Sequence, residues 1–184
     1  MVKDNKGSAM ITREQIKSSN SAEEGRVWQA LENVKDPEIP VLSVVDLGII
    51  TGIEISEENE LNRVCKIKMT PTFVGCPAIE VIRKNIFDEA NKLGFARTEV
   101  LVDFDITWSS DRISEAGKIK LEKFGLAPPP LIDGELNAEQ LDKVRCPHCG
   151  SADTTLRSSF GSTLCRAIRF CYNCKQGFEQ FKPV

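Results

Sequence analysis

The sequence predicts an α+β protein: a small three-stranded mixed sheet with helices on it, followed by a separate C-terminal unit stapled by cysteines. Three observations carry this. Apolar residues recur with helical spacing in three stretches and with strand spacing in three others, in the order α-β-β-α-β-α. The last 39 residues hold two C-x-x-C pairs and are too few to build a core unaided. The charge divides at the same place. Of the 24 basic and 27 acidic side chains, 18 and 25 fall in residues 1–144, and 6 and 2 in residues 145–184.

Residues 1–22 are polar and mixed in charge, and read as a disordered tail with one short helix around Thr12 to Lys17. Residues 23–125 read as the α+β domain. Val27, Trp28, Leu31 and Val34 place an apolar stripe on a helix from Glu23 to Val34, which Asp36-Pro37 ends because the residue before proline is pushed out of the helical region. Leu47 to Ile55 and Arg63 to Thr70 read as an antiparallel hairpin around an acidic turn, Ser56 to Asn62. Pro77 to Leu93 is a helix with Ile79, Ile82, Ile86, Ala90 and Leu93 on one face and Gly94 at its C-terminal cap. Thr98 to Ile106 is a third strand, with Val100, Val102, Phe104 and Ile106 alternating. Arg112 to Phe124 is a third helix, capped by Ser110 or Asp111 and closed by Gly125. Pro128-Pro129-Pro130 stiffens a linker over residues 126–145, with one short helix around Ala138 to Lys143. Residues 146–184 form the cysteine-stapled unit, with strands over Thr154 to Ser159 and Ala167 to Phe170, and with Phe178 and Phe181 to cover them.

The tail lacks the apolar core of a signal peptide, and no apolar run approaches the roughly 20 residues of a membrane span. The expectation is a cytoplasmic protein whose thiols stay reduced. Seven cysteines cannot all pair, and one histidine cannot supply a site that needs several imidazoles.

Cys146-Pro147-His148-Cys149 and Cys171-Tyr172-Asn173-Cys174 are two knuckles 21 residues apart. Each turns two thiolates toward one ion, and together they complete a tetrahedron, so these residues are expected to bind structural Zn²⁺ and the unit to be a four-cysteine zinc ribbon. Four thiolates around Zn²⁺ leave the ribbon with a net charge of about +2. His148 is read as a solvent-facing knuckle residue, since the four cysteines already fill the tetrahedron. That leaves no histidine for a Ser-His-Asp or Cys-His pair.

The loop Thr70-Pro71-Thr72-Phe73-Val74-Gly75-Cys76-Pro77 ends where the best helix begins. Pro77 suits the first helical position, which makes Cys76 the N-cap. The free N–H groups and helix dipole there favour thiolate, so its pKa is expected to fall. A small buried cap residue is the plainer alternative, and the residues alone leave both open. Asp36-Pro37-Glu38 sets two carboxylates around a rigid proline; on spacing alone a capped turn explains them better than a metal site. Cys165 is surplus to the tetrahedron, either a second reactive thiol or a buried strand residue. Cys65, on a strand with charged alternate neighbours, reads as core.

With Asp-Pro-Glu after the first helix and a Thr-rich loop ending in Gly-Cys-Pro before another, residues 23–125 resemble the metal–sulfur cluster assembly family, which includes the SufT-type proteins and the targeting component of the cytosolic iron–sulfur machinery. Trp108-Ser109-Ser110-Asp111, Gly125-Leu126-Ala127-Pro128-Pro129, the four-cysteine ribbon and Gly161-Ser162-Thr163-Leu164-Cys165-Arg166 extend the resemblance. Together they resemble the family of accessory D subunits of the phenylacetyl-CoA epoxidase system, over nearly the whole chain beyond residue 22.

The resemblance implies a maturation factor, not an enzyme, that helps deliver iron or iron–sulfur clusters to the oxygenase or its iron–sulfur reductase in phenylacetate degradation. The family's loop cysteine falls on Cys76 and its acidic motif on Asp36 and Glu38; Thr72 and Cys165 join them as candidate transfer residues. One thiol does not hold a cluster, which usually wants four ligands, so a homodimer, Cys165 or a client thiol would complete the site. The alternative is a stable structural subunit of the oxygenase. A nucleic-acid-binding ribbon, suggested by Arg145, Arg157, Arg166, Arg169, Lys175 and Lys182, is not expected from so acidic a chain.

Overall fold

The first sheet orders the strands Ile50–Asn59, Asn62–Met69 and Arg97–Val102, the first pair antiparallel and the second parallel, so it is the predicted three-stranded mixed sheet. The computed structural model describes residues 22–59, 62–73, 75–130 and 144–184. The predicted short helices around Thr12 to Lys17 and Ala138 to Lys143 lie outside the described residues, as does nearly all of the predicted tail. The elements are α1 (Ala22–Leu31), β1 (Ile50–Asn59), β2 (Asn62–Met69), α2 (Ile79–Asn91), β3 (Arg97–Val102), a 3-10 turn (Ser110–Arg112), α3 (Glu115–Phe124), β4 (Leu126–Ala127), β5 (Thr154–Ser158), β6 (Arg166–Cys171) and β7 (Gly177–Phe181). Among the described residues no helix is long and apolar enough to cross a membrane.

Helix α1 is shorter than its apolar stripe. Beyond Leu31 the amides of Glu32, Asn33 and Val34 bond three residues back rather than four, a tightened turn that still buries Val34. Strand β1 starts three residues later than predicted, because residues 43–48 make a closed turn. There Asp46 Oδ2 accepts from the amide and hydroxyl of Ser43, the Ser43 hydroxyl oxygen accepts from the Asp46 amide, and Gly48 has φ +64°. A Cβ on Gly48 would lie 2.3 Å from the carbonyl oxygen of Arg112, so this turn needs glycine. The strand then runs through the predicted acidic turn. Cations stand across the ladder from its carboxylates: Glu54 bonds Lys68 at 2.6 Å, and Glu57 is in register with Arg63, whose own ion pair is with Glu23.

Strand β3 stops at Val102, four residues early, and Phe104 is 68% exposed instead of sharing a buried face. Asp103 turns the chain by accepting from the Asp105 amide. The third helix starts late for a similar local reason. Ser109 caps the 3-10 turn, Ser114 caps α3 by accepting from the Gly117 amide at 2.9 Å, and Gly125 ends it at φ +88°.

Leu126–Ala127, expected at the head of the linker, is a strand of the second sheet. That sheet has the order β4-β7-β6-β5, with β4 parallel to β7 and the other pairs antiparallel. Two strands were expected in the ribbon; β7 is a third, and its two phenylalanines point to different cores. Phe178 packs with Ala127, Val144, Cys146 and Cys171, whereas Phe181 joins the main core of the first domain. There its ring lies 5.9 Å from that of Trp108, whose indole N–H donates to the Leu47 carbonyl. The chain end is tied down too: Val184 exchanges hydrogen bonds with Ser110. The ribbon is thus docked against the α+β domain.

Candidate functional site

Among the described residues, two constellations of chemically capable side chains stand out. In the ribbon, the sulfurs of Cys146, Cys149, Cys171 and Cys174 all lie within 4.8 Å of one another. Cys146–Cys174 and Cys149–Cys171 are 3.7 and 3.6 Å apart. A tetrahedral Zn²⁺ with Zn–S bonds of about 2.3 Å needs sulfurs roughly 3.8 Å apart, so the four thiols fit the ion. Backbone amides in and after the knuckles point at the sulfurs. The Ser151 amide and the Asn173 side chain hold the Cys149 thiol down to about 6. His148 is exposed, its ring edge-on to Phe178 at 6.5 Å.

The second constellation is a cavity of about 310 Å³ between the α+β domain and the ribbon. Asp36, Glu38, Thr72, Cys76 and Cys165, all predicted from sequence, line it together. The loop after α1 brings the carboxylates, the loop before α2 brings Thr72 and Cys76, and the turn between β5 and β6 brings Cys165. Ile39, Leu47, Phe73 and Phe181 supply apolar wall, and Phe160 and Leu164 are exposed residues of the ribbon side.

Asp36 does act as a turn cap. Its Oδ1 accepts from the amides of Glu38 and Ile39, both at 2.8 Å, which fixes the loop and presents Glu38 beside the cavity.

Cys76 departs from expectation in two ways. Helix α2 begins at Ile79 with Ala78 as its N-cap, so Cys76 stands in the preceding turn. Its thiol is pushed up, not down. Burial is the main cause; the Ala78 and Ile79 amides oppose it, while Glu38 and Asp36 add to it. The predicted amide contacts exist, but removal from water beside two carboxylates outweighs them. Cys165 is raised as well, chiefly by burial, with its Thr163 hydrogen bond and Arg166 opposing and Glu38 and Asp36 adding. Cys65 is core: fully buried, its thiol is pushed up to about 11 by burial and then by Glu24.

The means by which the ribbon wall is held could not be read from the sequence. Arg166 is 9% exposed. It donates to Glu179 at 2.8 Å, to the Ser162 hydroxyl at 3.3 Å and to the Glu38 carbonyl at 2.6 Å. Gly161 packs under it, where a Cβ would meet Arg166 atoms at 2.9 and 3.0 Å. Lys182 reaches across the opposite edge, over the rings of Phe73 and Phe160. The Gly161-to-Arg166 run was the only sequence signal for this wall, and nothing in its spacing said that it faces Cys76.

Comparison with known proteins agrees with this two-part construction. Residues 24–102 match the family model described as iron-sulfur cluster assembly protein, and residues 133–182 match the PaaD zinc beta ribbon domain. A curated Escherichia coli (strain K12) relative, provisionally named as the D subunit of 1,2-phenylacetyl-CoA epoxidase, is 35% identical over 158 residues. The match covers 86% of this chain and 92% of the relative. Among solved structures, a domain of unknown function DUF59 from Bacillus anthracis is 33% identical over 54% of this chain and 92% of its own, with a TM-score of 0.47. A Mycobacterium tuberculosis protein described as associated with Fe-S complex assembly and repair is 29% identical over 60% of this chain and 93% of its own, with a TM-score of 0.35.

Proposed function

We propose that this chain, which belongs to the family of 1,2-phenylacetyl-CoA epoxidase D subunits, is a non-catalytic accessory factor. It holds iron or an iron–sulfur cluster briefly at Cys76 and hands it to the oxygenase or its iron–sulfur reductase. The observation that carries this reading is the placement of Cys76, Asp36, Glu38 and Thr72 on one cavity. Zn²⁺ in the four-cysteine site of the ribbon is structural, holding the unit that closes one side of that cavity.

The chemistry follows from the charges. Without cargo, burial and the two carboxylates keep the Cys76 thiol protonated, which slows its alkylation and oxidation. An arriving iron centre reverses the local field. Its positive charge offsets Asp36 and Glu38, the thiol gives its proton to water, and an iron–thiolate bond replaces the S–H bond. Handing on is the reverse exchange, a client thiolate taking the place of Cys76. Both steps are ligand substitutions and need no oxidant.

The test is Cys76→Ser in cells that make the oxygenase system. The variant should fold and keep its zinc while the client emerges short of iron or cluster; normal metal content in the client would overturn the reading.

The name of the E. coli relative also favours a second reading, a permanent structural subunit. That reading requires stoichiometric co-purification with the active oxygenase. It fails if a purified, fully metallated complex lacking this chain turns over at the full rate.

A further inference from the structure

The cavity has two thiols, and they come from different parts of the chain: Cys76 from the α+β domain and Cys165 from the ribbon. Resting on the cargo-handling reading above, we propose that Cys165 is the second protein thiolate for that cargo. One chain then offers a two-thiol site for a formed iron–sulfur cluster, without borrowing a thiol from a second copy.

Four observations support this. First, both thiols respond to the same two carboxylates, Asp36 and Glu38, so all four groups share one electrostatic neighbourhood. Second, Cys165 is fixed on the wall. Its carbonyl accepts from the Lys182 amide at 2.9 Å, its sulfur lies 3.1 Å from the Thr163 hydroxyl, and the Gly161 and Arg166 amides close the turn around it. Third, Arg166, next in sequence, bonds the carbonyl of Glu38, so the segment carrying the second thiol is tied directly to the acidic loop.

Fourth, the donors surround the space without converging. Among the described residues the ribbon cysteines are the one group of three or more donors close enough for a single ion; the cavity's thiols and carboxylates do not form such a group. Donors spread around about 310 Å³ suit a cargo with two or more iron atoms, each taking a ligand from its own side, better than one ferrous ion. Two thiolates leave part of the cluster's ligand set to carboxylate or exchangeable small ligands. A site meant to release its cargo needs those exchangeable positions, because the client thiols enter there.

Binding balances as ligand exchange. Cys76 and Cys165 each lose a proton to water as an iron–sulfur bond forms, and each displaces one exchangeable ligand. The irons keep their oxidation state.

The experiment uses the full zinc-loaded chain under anaerobic conditions, with ferrous iron alone and with ferric iron plus sulfide as probes. Iron, sulfide and zinc are counted per chain, and the alkylation of Cys76 and Cys165 is followed by peptide mass spectrometry before and after loading. The expected result is iron and sulfide retained together above the zinc, protection of both cysteines on loading, and loss of the sulfide-containing species in Cys165→Ser as in Cys76→Ser. The wild-type protection pattern stands even if a variant folds poorly.

If Cys76 is protected while Cys165 alkylates at its unloaded rate, Cys165 is not a ligand and the inference falls, with the reading of Cys76 intact. If iron binds without sulfide, the cluster assignment falls. If neither cysteine is protected and only zinc is retained, the cargo-handling reading falls and this inference with it.

Discussion

Replacing Arg166 tests whether the ribbon wall is held as described. Arg166→Met keeps the length and apolar stem of the side chain and removes its charge. Three interactions disappear: the ion pair to Glu179, the bond to the Glu38 carbonyl and the longer contact to Ser162. Stripping one partner from a fully buried ion pair costs about 3–5 kcal/mol. Here the Glu179 side chain is 29% exposed and keeps a 2.8 Å bond from the Ser162 amide, so water and that amide take up part of its charge. The expected loss is therefore about 2 kcal/mol, the cost of a lost charge-assisted hydrogen bond and a poorly paired carbonyl. In a chain of this size that lowers the melting temperature by roughly 4–8 °C.

The assay is urea unfolding of zinc-loaded protein, with Glu179→Gln and the double variant completing a cycle. If the orphaned carboxylate carries most of the cost, the double variant is more stable than the two single losses predict, with a coupling of about 1–2 kcal/mol. An Arg166→Met loss below about 0.5 kcal/mol, in the range of ordinary surface changes, would refute the clamp. Strict additivity would place the cost elsewhere than in the Arg166–Glu179 pair.

Two further outcomes follow from the same structure. Burial pushes the Asp46 carboxyl up, but Lys120 and Ser43 together hold it below its ordinary value of 3.8, so its contribution is complete above that value and is lost as the pH falls through the depressed folded value. Asp46→Asn should therefore lower stability at neutral pH by about 1.5–3 kcal/mol and flatten the acid limb of a stability-versus-pH curve; an unchanged acid limb would show that Asp46 does not titrate with folding. Removing zinc with a chelator should unfold the ribbon and draw Phe181 away from Trp108, changing the near-ultraviolet circular dichroism of the indole while the α+β domain keeps its far-ultraviolet signal. An indole spectrum indifferent to the chelator would refute that coupling.

The type and order of the α+β elements were legible because each depends on a local period: the stripe of α1, the alternation in β2, the apolar face of α2 with Gly94 after it. The bounds were not, because they are set by side chains bonding to backbone. Asp46 and Ser43 delay β1, Asp103 ends β3, and Ser114 starts α3, each competing with regular structure for the same amides. The acidic segment of β1 was missed for a different reason. Read alone it is a poor strand; opposite Lys66, Lys68 and Arg63 it is a well-paired one. β7 escaped notice because Phe178 and Phe181 serve two cores, which blurs any single periodicity.

The candidate site shows the same division between local and tertiary information. The amides near Cys76 follow from the loop preceding α2, and they were expected from sequence. The sign of the thiol's shift depends on what covers the loop. Burial raises the thiol most, Glu38 and Asp36 add to that, and the ribbon stands across the cavity, tied to the acidic loop through Arg166. Cys76 is half-buried against the core of the α+β domain and faces ribbon residues across the cavity. The docked ribbon gives that thiol a second one, Cys165, on the same cavity of about 310 Å³. In the proposed reading this is the reason for joining a zinc-stapled unit to a cluster-assembly domain: the staple fixes the wall that carries the second thiol, burial and two carboxylates keep Cys76 protonated, and a cation able to offset Asp36 and Glu38 restores its reactivity.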